Sequence, residues 1–352
     1  MKISIFFSVL PFIGTNAFHN IPNIYLTRPH LYTTPKSVDF STKFLHFKKL
    51  IRAESILPTS LLCFTGGFMM NPSIQGLLQN SRFMISTINT VLILSSSMIV
   101  NDIFDMELDR VDHSDRPLVN GSISRNEAIG YLFGLLSMIE FLNIRFLPDN
   151  LQTIFHLAIV NILLYTPIYK KIPFVKNIFC AAIIAFSIFV SGLSACNGLM
   201  IINPGFSILS IALSIIFFGS WYSEVLLDIT DYEGDRKNGI YTVPVLYGKK
   251  NAWRFASLLL YFNILSNTLS LSYLFGRGIG MVLPLIFSPM VYDCLSIPRE
   301  SFSTKHAVKN TRKPLFLLVI YLCSLSLFQS GFVFNLPFHD IHWLHIATTV
   351  FI

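Results

Sequence analysis

The strongest constraint on this chain is a succession of long apolar stretches separated by short polar ones. A helix needs about 20 apolar residues to cross a hydrocarbon core. Nine stretches approach that length, at residues 51–71, 82–101, 126–146, 151–168, 175–197, 204–227, 251–274, 278–297 and 314–334. Lipid offers no partner to a bare peptide group, so such segments must be helical. The expected fold is all-α, an integral membrane bundle of nine transmembrane helices around a central cavity. Composition agrees. Of the 352 residues only 13% are charged and 53% are hydrophobic, whereas a soluble chain carries roughly 25% charge. Hydropathy alone excludes a soluble enzyme.

Basic residues fall on one side of these stretches. Counting loops by the spans they join, Arg110, Arg116 and Arg125 follow the second span, and Lys170, Lys171 and Lys176 follow the fourth. Arg236, Lys237, Lys249 and Lys250 follow the sixth; Arg299, Lys305, Lys309, Arg312 and Lys313 follow the eighth. The opposite loops hold Arg82, Arg145 and Arg277. By the positive-inside rule the basic face is cytoplasmic, or stromal in a plastid. The net charge of +7 therefore reads as membrane topology and phosphate handling, with no nucleic acid as partner.

The ends of the chain read differently. Residues 1–50 are expected to be a targeting segment. An apolar run from Ile3 to Ile13 precedes small residues Thr15 and Ala17 and a junction at Phe18. Residues 18–50 are basic, hydroxylated and poor in acids, the transit-peptide composition. The combination resembles the bipartite plastid presequence, with an ordinary secretory signal as the alternative. Residues 335–352, with His342, Trp343 and His345, are expected to lie at the interface, leaving 51–334 as the enzyme domain.

Two acidic clusters carry the chemistry. The second span ends in Asn101-Asp102-Ile-Phe-Asp105-Met-Glu-Leu-Asp109, and the sixth in Asp228-Ile-Thr-Asp231-Tyr-Glu-Gly-Asp235. Both spell D-x-x-D-x-x-x-D, and offsets of 0, 3 and 7 place three carboxylates on one helical stripe. Residues 102–115 and 224–235 together hold 11 of the 19 acidic residues in the chain. Mutually repelling carboxylates at span ends need cations, and clustered oxygens favour magnesium, which also binds substrate phosphates. Asp102, Asp105, Asp109, Asp228, Asp231 and Asp235 are the expected metal ligands. Magnesium between two such stripes can neutralise a leaving diphosphate as a carbon–oxygen bond breaks. The allylic cation left behind must be kept from water, which a greasy cavity does, and aromatic faces can stabilise it. Transport of the ion is the competing use, but a transporter would hold its acids near the midplane rather than at span ends.

These residues resemble the UbiA superfamily of intramembrane prenyltransferases. Beyond the two motifs, the likeness includes Arg116-Pro117-Leu118 with Gly121, Tyr165-Thr-Pro-Ile-Tyr-Lys170 with Asn177, and Glu233-Gly234-Asp235 continuing to Gly239, Thr242-Val243-Pro244 and Gly248. The resemblance implies a magnesium-dependent transfer of a prenyl group from a prenyl diphosphate to an aromatic or other lipophilic acceptor. It implies that Asp102, Asp105, Asp228 and Asp231 are catalytic through the ion, that Asn101 orients the site, and that Arg52, Arg116, Lys170 and Lys237 touch phosphate oxygens. Tyr165 is implied to face the reacting carbon. Gly234, Gly239 and Gly248 are expected to shape their loop. Glu140 inside the third span reads either as a partner of Arg145 or as a substrate contact. The alternative outcome on the same scaffold is terpene cyclisation, in which the substrate's own alkenes trap the cation.

Overall fold

The computed structural model describes residues 40–112, 114–196, 200–237 and 239–331. The expectations for the leader before residue 40 and for the tail 335–352 lie outside the described residues. The chain divides into two units, Met1–His46 and Phe47–Ile352. In the first, the described residues 40–46 begin helix α1, Phe40–Leu50.

Among the described residues all regular structure in the second unit is helical. In chain order the helices are α2 Ile56–Met70, α3 Ile74–Gln79, α4 Ser81–Asp112, α5 Arg125–Phe146, α6 Asp149–Tyr165, α7 Val175–Ala195 and α8 Phe206–Thr230. After these come α9 Tyr232–Lys237, α10 Val243–Tyr247, α11 Lys249–Phe275, α12 Arg277–Gly280, α13 Val282–Ser296, α14 Lys305–Asn310 and α15 Pro314–Gln329.

Among the described residues seven helical segments are long and apolar enough to cross a membrane, rather than nine. The two that fall short are α2, with 15 residues, and α6, with 17. At 1.5 Å per residue they reach about 22 and 25 Å, less than the hydrocarbon core of about 30 Å. Sequence chemistry trims both. Arg52 to Ser55 wind as a 3₁₀ turn before α2, and Pro148 and Pro167 bracket α6. The opposite error occurs at α4. It runs 32 residues, about 48 Å, so the first aspartate motif continues the helix beyond the expected span end instead of starting a loop.

The bundle is organised by close pairs. Helix α2 packs on α7, α7 on α8, α8 on α11, and α4 on α5. Small residues allow the tightest of these approaches: a methyl group on Gly66 of α2 would stand 2.2 Å from the carbonyl oxygen of Ile188 on α7. One apolar core joins α2, α7, α8, α11, α13 and α15, with Ile188, Leu209, Ile215, Leu260 and Leu322 fully or nearly fully buried. A second, around Ile93, Ile139, Phe155, Ile159 and Val190, fastens α4 to α5, α6 and α7. Helix α5 starts in register because Ser124 and Glu127 form a reciprocal capping box.

Candidate active site

The first motif lies on α4. Asp102, Asp105 and Asp109 are buried, with exposures of 3, 7 and 6%. Carboxylates so placed require compensation, and the chain supplies it from three separate segments. Arg52 and Arg116 each place a guanidinium nitrogen 3.2 Å from Asp102 Oδ1. Arg116 also pairs with Asp109, and Lys170 with Asp105. Lys170 Nζ further donates to Asn101 Oδ1 at 3.5 Å. Arg52 stands in the left-handed region at φ 48°, a conformation a non-glycine residue adopts at a cost. Arg116 is presented by a loop pinned by buried Leu118 and Ile123 and reversed at Gly121, whose φ of +76° suits glycine. Gly239, at +67°, turns the loop after α9, and Gly248, at +81°, turns the chain between α10 and α11 in the same way.

The second motif ends α8. Asp228 is 1% exposed and is gripped at both oxygens, Oδ1 by Lys176 Nζ at 2.5 Å and Oδ2 by Asn177 Nδ2 at 2.9 Å. Asp231 caps the helix and Asp235 lies just beyond on α9, its backbone N–H donating to the Asp231 carbonyl. Burial pushes the Asp235 carboxyl up to about 6, although the nearby Lys176 ammonium pulls it down. Glu224, one turn before Asp228, lies beside Lys176 and Cys180.

The two clusters meet at one end of the bundle. The segment from Lys170 to Asn177 touches Asp105 of α4 at its start and Asp228 of α8 at its finish. Lys170 and Lys176 are six residues apart, so even an extended chain would separate their Cα atoms by only about 20 Å. The 3₁₀ turn Tyr169–Lys171 and the start of α7 at Val175 shorten that reach.

The six aspartates, Asn101, Arg52, Arg116 and Lys170 therefore gather here. Two expected residues behave otherwise. Tyr165, at the end of α6, turns its hydroxyl to Cys180 Sγ at 2.9 Å. Lys237 is exposed at the end of α9. Glu140 pairs with His156 of α6 at 2.7 Å, whereas Arg145 lies over the Phe146 ring. Five residues turn a helix about 140° past a full circle, so Glu140 and Arg145 leave α5 in different directions. Sequence reasoning gave neither Lys176 nor Asn177 a role at the site. A signal existed, because a lysine in the first turn of a helix opposes the dipole and implies a carboxylate nearby.

Among the described residues no three acidic, histidine or cysteine side chains converge as a metal shell; the carboxylates are drawn to cations instead. The donor set nevertheless fits a hard divalent ion. It is all carboxylate, and Asp235 Oδ2 is buried without a hydrogen-bond partner. Such an arrangement can exchange partners, releasing cations to a phosphate and carboxylates to a metal.

The chain is similar to known proteins. The digeranylgeranylglyceryl phosphate synthase of Methanococcus maripaludis strain C6 is 27% identical over 293 residues, 80% of this chain and 98% of that protein. The synthase of the same name from Methanocaldococcus jannaschii is 30% identical over 234 residues, 62% of this chain and 73% of its own length. A UbiA homologue from Archaeoglobus fulgidus, solved bound to DMAPP and Mg2+, shares the fold with a TM-score of 0.59 at 20% identity, covering 80% of this chain and 98% of that one. The UbiA prenyltransferase family profile matches residues 60–320, and the chain belongs to that family.

Proposed function

We propose that this prenyltransferase moves a prenyl group from a prenyl diphosphate to a lipophilic acceptor bearing a glyceryl phosphate, with magnesium as its cofactor. One observation carries the reading: the segment 170–177 contacts buried aspartates of both clusters, Asp105 and Asp228. Asp102, Asp105, Asp109, Asp228, Asp231 and Asp235 would hold the metal, which supplies charge neutralisation for the leaving diphosphate.

The chain's own groups do the rest. Arg52, Arg116 and Lys170 now neutralise Asp102, Asp105 and Asp109. When a diphosphate enters they turn to its oxygens, and Arg offers a bidentate fork suited to phosphate. Asp102, Asp105 and Asp109 are thereby paired before substrate arrives, and the metal takes over that pairing once the cations turn away. Asn101 holds Lys170 in line for that exchange. As the carbon–oxygen bond breaks, the pair of electrons leaves with the diphosphate and the allylic cation stays in the bundle. Surrounding helices exclude water from it, and the Tyr165 ring would stabilise it if the hydroxyl keeps its hold on Cys180 and the ring face turns inward.

The acceptor class rests on the relatives' shared name. We further assign α2 and α6 as short spans, giving nine crossings, because α2 packs on α7 and α8, and α6 on α4, α5 and α7, as spanning helices do. A plastid address rests on the composition of residues 1–50 alone.

The test is direct. Membranes containing the chain are incubated with C10, C15 or C20 prenyl diphosphates, magnesium, and either geranylgeranylglyceryl phosphate or a quinol. Prenylation of the glyceryl phosphate that EDTA abolishes is the expected result. Quinol prenylation alone would overturn the acceptor, and a hydrocarbon formed without acceptor would mean cyclisation.

A further inference from the structure

The end of α8 that leads into the second aspartate motif is held by the loop before α14. Thr304 stands at the N-cap of α14, the position where threonine ordinarily caps its own helix, yet its side chain makes no capping bond there. Its hydroxyl turns to α8 instead. It donates to the Leu226 carbonyl at 2.9 Å and shares a hydrogen bond of 2.7 Å with Thr230 Oγ1. Thr304 is 1% exposed. Thr230 Oγ1 also stands 3.1 Å from that carbonyl; two hydroxyl protons serve the three contacts, so with Thr304 on the Leu226 carbonyl, Thr230 donates to the Thr304 oxygen. Hydroxyls bonded to helix carbonyls can bend a helix, and this contact falls in the turn that leads into Asp228 and Asp231.

The loop is built to deliver that hydroxyl. Ser301 and Phe302 are consecutive non-glycine residues at φ 53° and 61°, a strained pair that persists only where its surroundings demand it. Phe302 packs edge-on to Trp253. Beyond Thr304 the segment is fastened again, where Asn310 Nδ2 donates to buried Asp293 Oδ2 at 2.8 Å.

We propose that Thr304 is a positioning residue that sets the aim of Asp228 and Asp231 toward the magnesium–diphosphate pair. This rests on the proposed prenyltransferase site, and the test separates the two. The full chain in detergent is titrated with magnesium and inorganic pyrophosphate, and binding is measured by calorimetry alongside thermal unfolding. The native chain binds. Thr304→Val weakens binding about tenfold, or about 1.4 kcal/mol, while Thr304→Ser restores it to within about twofold. A merely structural hydroxyl would change the unfolding temperature and leave affinity at lower temperature intact, which would overturn the proposal. If Thr304→Val does not fold, Thr230→Val is measured instead. The same loss supports the proposal, and native affinity overturns it. Absence of binding by the native chain would overturn the proposed site and this proposal with it.

Discussion

Asp228 has both oxygens occupied before any substrate arrives, one by an ammonium and one by an amide. A metal that takes Asp228 would compete with the Lys176 ammonium for the same charge. Lys176→Met leaves a carboxylate of 1% exposure with the Asn177 amide alone. Breaking a buried pair costs about 3–5 kcal/mol, and the partly exposed lysine puts this case below that range. In EDTA the variant should unfold at lower temperature than the native chain, and magnesium should raise its midpoint by more. Equal rises in both would mean that lysine and ion do not share Asp228. Catalysis sets a sharper requirement. Asp105→Ala or Asp231→Ala should cut product formation by at least about a hundredfold while the chain remains folded in membranes. Near-native turnover in either variant would remove that aspartate from the metal set. The acids themselves were legible from spacing, because three carboxylates at offsets 0, 3 and 7 admit one helical face. Their partners were not, since Arg52, Lys170 and Lys176 reach the acids from segments 50 to 65 residues away in sequence.

Helix α2 makes its approach to α7 through glycine. A Cβ on Gly66 would meet backbone, the Ile188 carbonyl oxygen at 2.2 Å, and backbone cannot rotate aside as a side chain can. Gly66→Ala should therefore push the two helices apart and destabilise the bundle by about 1–3 kcal/mol. Gly130, on exposed α5 with nothing within 4 Å of its missing Cβ, is the control. There alanine should stabilise by up to about 1 kcal/mol through helix propensity. Thermal unfolding in detergent compares the two, and equal midpoints would contradict the close crossing. Hydropathy located the helices but not their ends. It stopped α4 at residue 101 because acids read as the start of a loop, whereas paired acids continue the helix to Asp112. It also credited α2 with the polar turn at Arg52–Ser55. Apolar content measures what lipid tolerates; chain direction at a helix end depends on capping and ion pairing that composition does not contain.

The bundle as a whole must be one-sided for this site to exist. Helices α4 and α8 end at the acids, α7 begins there, and Arg52 precedes α2 at the same place. All basic loops must then share that face, including Lys250 at the start of α11. The link between α7 and α8 must lie on the other, where Ile201 and Ile202 are 78 and 77% exposed. A helix pair crossing in opposite directions fixes this, since α7 leaves the acidic end and α8 returns to it. Lys250→Cys and Ile201→Cys, both exposed positions, should react with a membrane-impermeant maleimide from opposite sides of sealed vesicles, above the background of the native cysteines. Lys250→Cys should label only from the side that also admits a water-soluble diphosphate. Labelling of both from one side would place an even number of crossings where the site needs an odd one. The two aspartate motifs would then lie on opposite faces, too far apart for any single diphosphate to join them.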